Sequence, residues 1–73
     1  MPETKKIKIN TEYIKLDQLL KFAGLTMTGG EAKTAVASGS VMVNGAPCLL
    51  RGKKIRAGDT VSYNGVVIEV ISQ

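Results

Sequence analysis

The sequence contains no histidine and no tryptophan, one cysteine, and only three aromatic residues, Tyr13, Phe22 and Tyr63. Each shortage excludes something. Without histidine the commonest general acid/base is missing. A single thiol, Cys48, cannot cross-link the chain to itself, and no Cys/His cluster is available to hold zinc. Cys48 therefore reads as a small buried apolar filler in a reducing, cytoplasmic setting. So few aromatics argue against base stacking on a sheet surface as the main way of binding nucleic acid. No apolar run is long enough to cross a bilayer. The opening stretch MPETKKIKIN is basic but lacks the apolar core of a signal peptide. A soluble, unexported, cytoplasmic protein is expected, with no membrane partner. The six carboxylates are scattered, and no nucleophile has a base beside it. Neither phosphate-loop nor dinucleotide spacing occurs, since Gly29-Gly30 followed by Glu31 matches neither. The chain is not expected to be an enzyme, and no cofactor, metal or small-molecule substrate is expected.

What the chain does have is positive charge. Its 73 residues suit one domain, 1–73, with a thin core, because a chain this short buries only about 60% of its unfolded surface. Ten basic residues against six acidic ones give a formal charge of +4, which on a small domain points to a polyanionic partner. The cations are clustered. Lys5, Lys6 and Lys8 form one group, and Arg51, Lys53, Lys54 and Arg56 another.

The periodicities predict an α+β domain of two packed helices and a small, mostly antiparallel sheet. Residues 1–10 form an N-terminal strand or arm, where Lys6, Ile7, Lys8 and Ile9 alternate with the lysines outward. Such a charged edge discourages strand-to-strand aggregation. Leu16, Leu19, Leu20 and Ala23 make one apolar helical stripe, with Phe22 at the edge of the same core, Asp17 as a first-turn acid and Gly24 as the C-terminal cap. A second helix is expected from Gly29 to Ser38, with Ala32, Ala35 and Val36 inward, Lys33 outward and Gly39 as the stop. Asn44-Gly45 and Asn64-Gly65 read as tight hairpin turns. Pro47 marks an edge position or the first residue of a strand. Residues 51–59 read as a basic loop closed by a turn at Ala57-Gly58-Asp59.

Gly29 and Gly30 are an oddity. Glycine costs roughly 1 kcal/mol per site in a helix relative to alanine, yet two open the second helix. Thr28 and Glu31 have the spacing of a reciprocal cap that satisfies the N–H groups of both residues. Two readings of the glycines stay open: close packing against the first helix, or bare backbone N–H groups offered to an anion.

Taken in order, Lys15-Leu16-Asp17, Thr28-Gly29 with Ala32, Gly39-Ser40-Val41-Met42-Val43-Asn44-Gly45, and Gly58-Asp59 resemble the motifs of the alpha-L RNA-binding domain, the module named after small-subunit ribosomal protein S-four. The resemblance covers roughly residues 14 to 71. TGGEAK and RGKK look most like the small stand-alone bacterial members, the YaaA/YbcJ-like proteins. Where family members often carry arginine at the start of both helices, this chain has Lys15 and Gly29. Lysine keeps the charge but loses the planar fork that grips phosphate bidentately.

The resemblance implies a non-catalytic module whose second helix, the loop before it and the strand after it lie against phosphates of folded RNA. Ribosomal RNA, a ribosomal particle and a role in ribosome assembly are the implied partners and setting, and a monomer is expected. Recognition of an A-form helix rests on shape, phosphates and 2′-hydroxyls, because its major groove is too deep and narrow to read. The candidate contacts are Lys15, Lys33, Arg51, Lys53, Lys54 and Arg56, with Gly29 and Gly30 as backbone donors. The alternative is a protein-interaction module whose basic loop docks an acidic partner.

Overall fold

The computed structural model describes residues 3–72. In chain order the elements are β1 (Glu3–Ile9), β2 (Ile14–Lys15), α1 (Leu16–Phe22), α2 (Gly29–Ala37), β3 (Val41–Val43), β4 (Ala46–Pro47), β5 (Lys54–Ile55), β6 (Thr60–Tyr63) and β7 (Val66–Ser72). Five strands form one sheet in the order β1-β7-β6-β3-β4, and β2 pairs with β5 in a separate two-stranded ribbon. Only β1 runs parallel to its neighbour, β7; the other pairings are antiparallel. The α+β architecture expected from the sequence is present.

The turn residues explain the hairpins. Asn44 and Gly45 have φ of 52° and 86°, and Asn64 and Gly65 of 53° and 81°. Two successive left-handed residues make the primed turn whose twist matches that of paired strands. Pro47 lies in the edge strand β4, where its missing N–H leaves no ladder bond unmade. In β1, Lys6 and Lys8 are exposed while Ile7 is half-buried and Ile9 buried.

One core joins the two layers. Leu16, Leu19, Leu20 and Ala23 from α1 and its C-cap meet Ala32, Ala35 and Val36 of α2, together with Val41, Val43, Val61, Ile68 and Val70 of the sheet. Ile55 is fully buried in the same core, so the two-residue β5 is held by its side chain as well as by its ladder. Phe22 departs from the expected pattern: it is 67% exposed. It ends α1 two residues beyond Leu20, which turns it away from the Leu16–Leu19–Leu20 stripe. Cys48 is half-buried and packs against the core margin rather than within it.

The basic segment is more structured than a loop. Ile14 and Lys15 pair with Ile55 and Lys54, and the first two N–H groups of α1 donate to this segment: Leu16 to the carbonyl of Lys53 at 2.9 Å and Asp17 to that of Arg51 at 3.0 Å. Helix α1 has no side-chain cap at Lys15. Its exposed backbone donors are satisfied by a segment some 35 residues downstream instead.

Candidate nucleic-acid interface

Helix α2 begins with Thr28 as N-cap, whose Oγ1 accepts from the Glu31 N–H at 3.1 Å. The reciprocal half differs from expectation. The Glu31 carboxylate accepts from the N–H of Met27 at 3.4 Å, one residue earlier than the reciprocal cap would have it. An alanine-like Cβ on Gly29 would meet nothing within 4 Å, and one on Gly30 would meet only Thr28 Oγ1 at 3.9 Å. Close packing against α1 is therefore not the reason for the glycines, and neither residue has a positive φ. Both are exposed. Lys33 follows them by four and three residues, so it stands on the same side of the helix.

The cations of the basic segment divide into neighbouring groups. Lys33, Arg51 and Lys53 line a shallow groove of about 620 Å³ along the flank of α2 against residues 49–53, with Ala37, Leu49, Leu50 and Gly52 on its walls and the buried Val36 beneath. Lys15 and Lys54 are directly opposed across the β2–β5 ribbon, and the Lys54 ammonium lies 4.9 Å from the centroid of the Tyr13 ring. Like charges directly opposed across strands are destabilising, and the tyrosine face offsets part of this through its quadrupole. Arg56 stands apart at the following turn, where its N–H donates to Asp59 Oδ2 at 2.9 Å.

That turn is fixed by a small polar network. Asp59 Oδ1 accepts from Asn44 Nδ2 at 3.2 Å, and Asn44 Oδ1 accepts from the N–H of Thr60 at 2.9 Å. The hydrogen bond from the Arg56 N–H, with lesser help from Asn44 and from the charges of Lys53 and Arg56, holds the Asp59 carboxyl below its usual value against the opposing effect of burial. The Asn-Gly and Gly-Asp motifs are thus two ends of one structural device that holds the end of the basic segment to the β3–β4 turn. Asp17 is structural as well, its Oδ1 accepting from the N–H of Gln18 at 2.8 Å.

The cations are visible in the sequence, but the apolar surface between them is not among the residues expected at the interface. Leu49 and Leu50 are 65% and 69% exposed. A Leu-Leu pair ahead of Arg51 breaks the alternation of a half-buried strand, and that was the available signal. Tyr13 as a support for Lys54 had no local signal, since the contact depends on the β2–β5 pairing. Among the described residues there is no group of three or more His, Cys, Asp or Glu side chains that could hold a metal ion. No described helix is long and apolar enough to cross a membrane.

Comparison with known proteins bears on this arrangement. Residues 7–71 match the family model described as the S4 domain. The chain is 42% identical over 59 residues to "Probable ribosome maturation protein RlbA" of Bacillus subtilis (strain 168), covering 81% of this chain and 83% of that protein. It is 40% identical over 60 residues to "Putative RNA-binding protein YbcJ" of Escherichia coli (strain K12), covering 82% and 86%. The solution structure of YbcJ from E. coli, described as revealing an alfaL motif involved in RNA-binding, superposes with a TM-score of 0.68 at 35% identity, over 97% of this chain and 89% of that one. The two helices, the mostly antiparallel sheet and the ordered motifs thus have a common origin: the chain belongs to the S4 domain family.

Proposed function

We propose that this protein is a non-catalytic RNA-binding module that holds folded RNA, ribosomal RNA in particular, by its phosphates during ribosome assembly. The observation that carries this reading is the docking of residues 51–54 onto the start of α1, which gathers Lys15, Lys33, Arg51, Lys53 and Lys54 around α2 and the β2–β5 ribbon. Opposed lysines such as Lys15 and Lys54 repel each other in the free protein and gain from an anion set between them. The names of the relatives support the same reading, one as an RNA-binding protein and one as a ribosome maturation protein. Arg56 adds charge beside this face. The N–H groups of Gly29 and Gly30 add unobstructed donors at the positive end of the α2 dipole. No catalytic step is assigned to any residue, and the protein acts as a cytoplasmic monomer.

Fluorescence anisotropy with a labelled RNA hairpin tests the reading. Affinity should fall steeply as salt rises, because each neutralised phosphate releases counterions. Lys53→Glu with Lys54→Glu should weaken binding by about 100-fold or more while leaving the circular dichroism spectrum unchanged. Tight binding by that double variant would contradict the proposed surface. Crosslinking in cells, followed by sequencing of the attached RNA, should enrich ribosomal RNA; enrichment of other RNAs alone would overturn the ribosomal assignment.

A further inference from the structure

The groove beside α2 has a chemical character that a surface for phosphates alone does not need. Its walls combine the exposed apolar side chains of Leu49 and Leu50 with three cations, Lys33, Arg51 and Lys53. A continuous RNA duplex offers phosphates and 2′-hydroxyls but no apolar face, so it would leave both leucines unused. Their exposure is built in. The turn from Leu50 to Lys53 is closed by a 3.1 Å hydrogen bond, Cys48 N–H donates to the Val41 carbonyl at 3.0 Å, and Arg51 and Lys53 are tied to α1. Leu49 Cδ2 lies 3.8 Å from the position of a Cβ on Gly39, so the side chain rests against the end of α2. An apolar surface held in this way pays little ordering entropy when it is covered.

Hydrogen-bonding capacity narrows the occupant. The groove's polar side chains are all donors, and no carboxylate lines it. The carbonyls of Leu50, Arg51 and Lys53 already accept from Lys53, Asp17 and Leu16. A peptide would bring backbone N–H groups that need acceptors and find few. A nucleotide brings what the groove lacks: an anionic, acceptor-only phosphate beside a flat base whose faces suit the leucines while its polar edges stay at the open side of the shallow groove. The groove's volume of about 620 Å³ falls within the range of small-molecule clefts, roughly 300–1,000 Å³.

We propose that this groove receives a single unstacked nucleobase, packed against Leu49 and Leu50, while the flanking phosphates lie on Lys33, Arg51 and Lys53. The inference rests on the RNA-binding reading above and narrows its substrate to folded RNA with a bulged or otherwise unpaired nucleotide. Bases freed from the helix in this way are the usual handles for selective RNA recognition.

The test uses the full chain and three hairpins of identical stem. One is fully paired, one carries a single bulged 2-aminopurine, and one carries an abasic bulge. The wild-type protein should bind the 2-aminopurine bulge about fivefold or more tighter than the other two, somewhat less than an aromatic platform would give. The emission of 2-aminopurine should rise as the base leaves its stacked neighbours for an aliphatic slot. Leu49→Ser with Leu50→Ser should erase the preference among the three hairpins and the emission change. Equal wild-type affinity for all three hairpins overturns the nucleobase slot and leaves the RNA-binding reading standing. Failure to bind any hairpin at low salt overturns both. Binding of an acidic, leucine-containing peptide that is lost in the double variant, with no preference among the hairpins, overturns the slot in favour of a protein partner.

Discussion

Two clusters of cations lie in different parts of this small protein, and they are built differently. In β1, Lys6 and Lys8 follow the two-residue period of a strand, and Lys5 falls on the other, half-buried face. Lys6 and Lys8 project from the outer face of an edge strand, and Lys6 stands directly beside Glu69 of β7. In the segment from Arg51 to Arg56 no single period holds. Lys53 faces α2, Lys54 leans over Tyr13 and opposes Lys15, and Arg56 sits at a turn. The first arrangement protects an edge, with a carboxylate at hand to relieve its charge. The second brings cations from distant parts of the chain together around an apolar floor. Similar local composition thus serves different ends, and the pairing partners decide which.

Charge reversal should separate the two clusters most strongly. Lys53→Glu with Lys54→Glu should weaken RNA binding by about 100-fold or more at low salt, whereas Lys6→Glu with Lys8→Glu should change it only a few-fold through the general field. Anisotropy titrations at matched salt measure both.

A second prediction concerns the network that anchors the far end of the basic segment. Asp59→Ala should destabilise the fold by about 1–2 kcal/mol at neutral pH, measured by urea denaturation, by removing the acceptor for Arg56 and Asn44. The folded Asp59 carboxyl lies below its usual value of 3.8. Its contribution is therefore present above that pH and lost as pH falls through the folded value. The stability gap between wild type and variant should close on acidification below pH 3.8, and a gap that persisted at still lower pH would contradict the ionic origin.

Smaller effects are expected at the start of α2. Gly29→Arg restores the cation that family members often carry and should raise RNA affinity by about threefold; an unchanged affinity would show that phosphate does not approach this end. Gly29→Ala should stabilise the protein by about 0.4–1 kcal/mol in thermal or urea unfolding, because the added Cβ has open space and the unfolded chain loses freedom.

Much of the scaffold was legible because its signals are local. The stripe of Leu16, Leu19, Leu20 and Ala23 fixed the inner face of α1, Gly24 and Gly39 both adopt the left-handed conformation that ends a helix, and the two Asn-Gly pairs made their hairpins. What was not legible depends on contacts between distant segments. Nothing near Lys15 announces that α1 is capped by carbonyls of residues 51 and 53, or that Ile55 is a core residue pairing with Ile14. Phe22 looked like core from its chemistry, and only its angle on the helix excludes it. The candidate cations could be named from the sequence, but their grouping could not. Lys53 and Lys54 are adjacent in the chain yet serve different neighbours, and the Leu49–Leu50 floor becomes visible only when α2 closes the groove.

If the RNA-binding reading is right, the face built by α2 and residues 49–56 meets RNA, and the lysine-bearing edge of β1 does not. Titrating the isotope-labelled protein with an RNA hairpin and following its amide resonances tests this directly. Shifts should concentrate at residues 15–17, 29–36 and 49–56, with residues 3–9 nearly still. Shifts concentrated on residues 3–9, or spread evenly over the sheet with the α2 groove untouched, would contradict it.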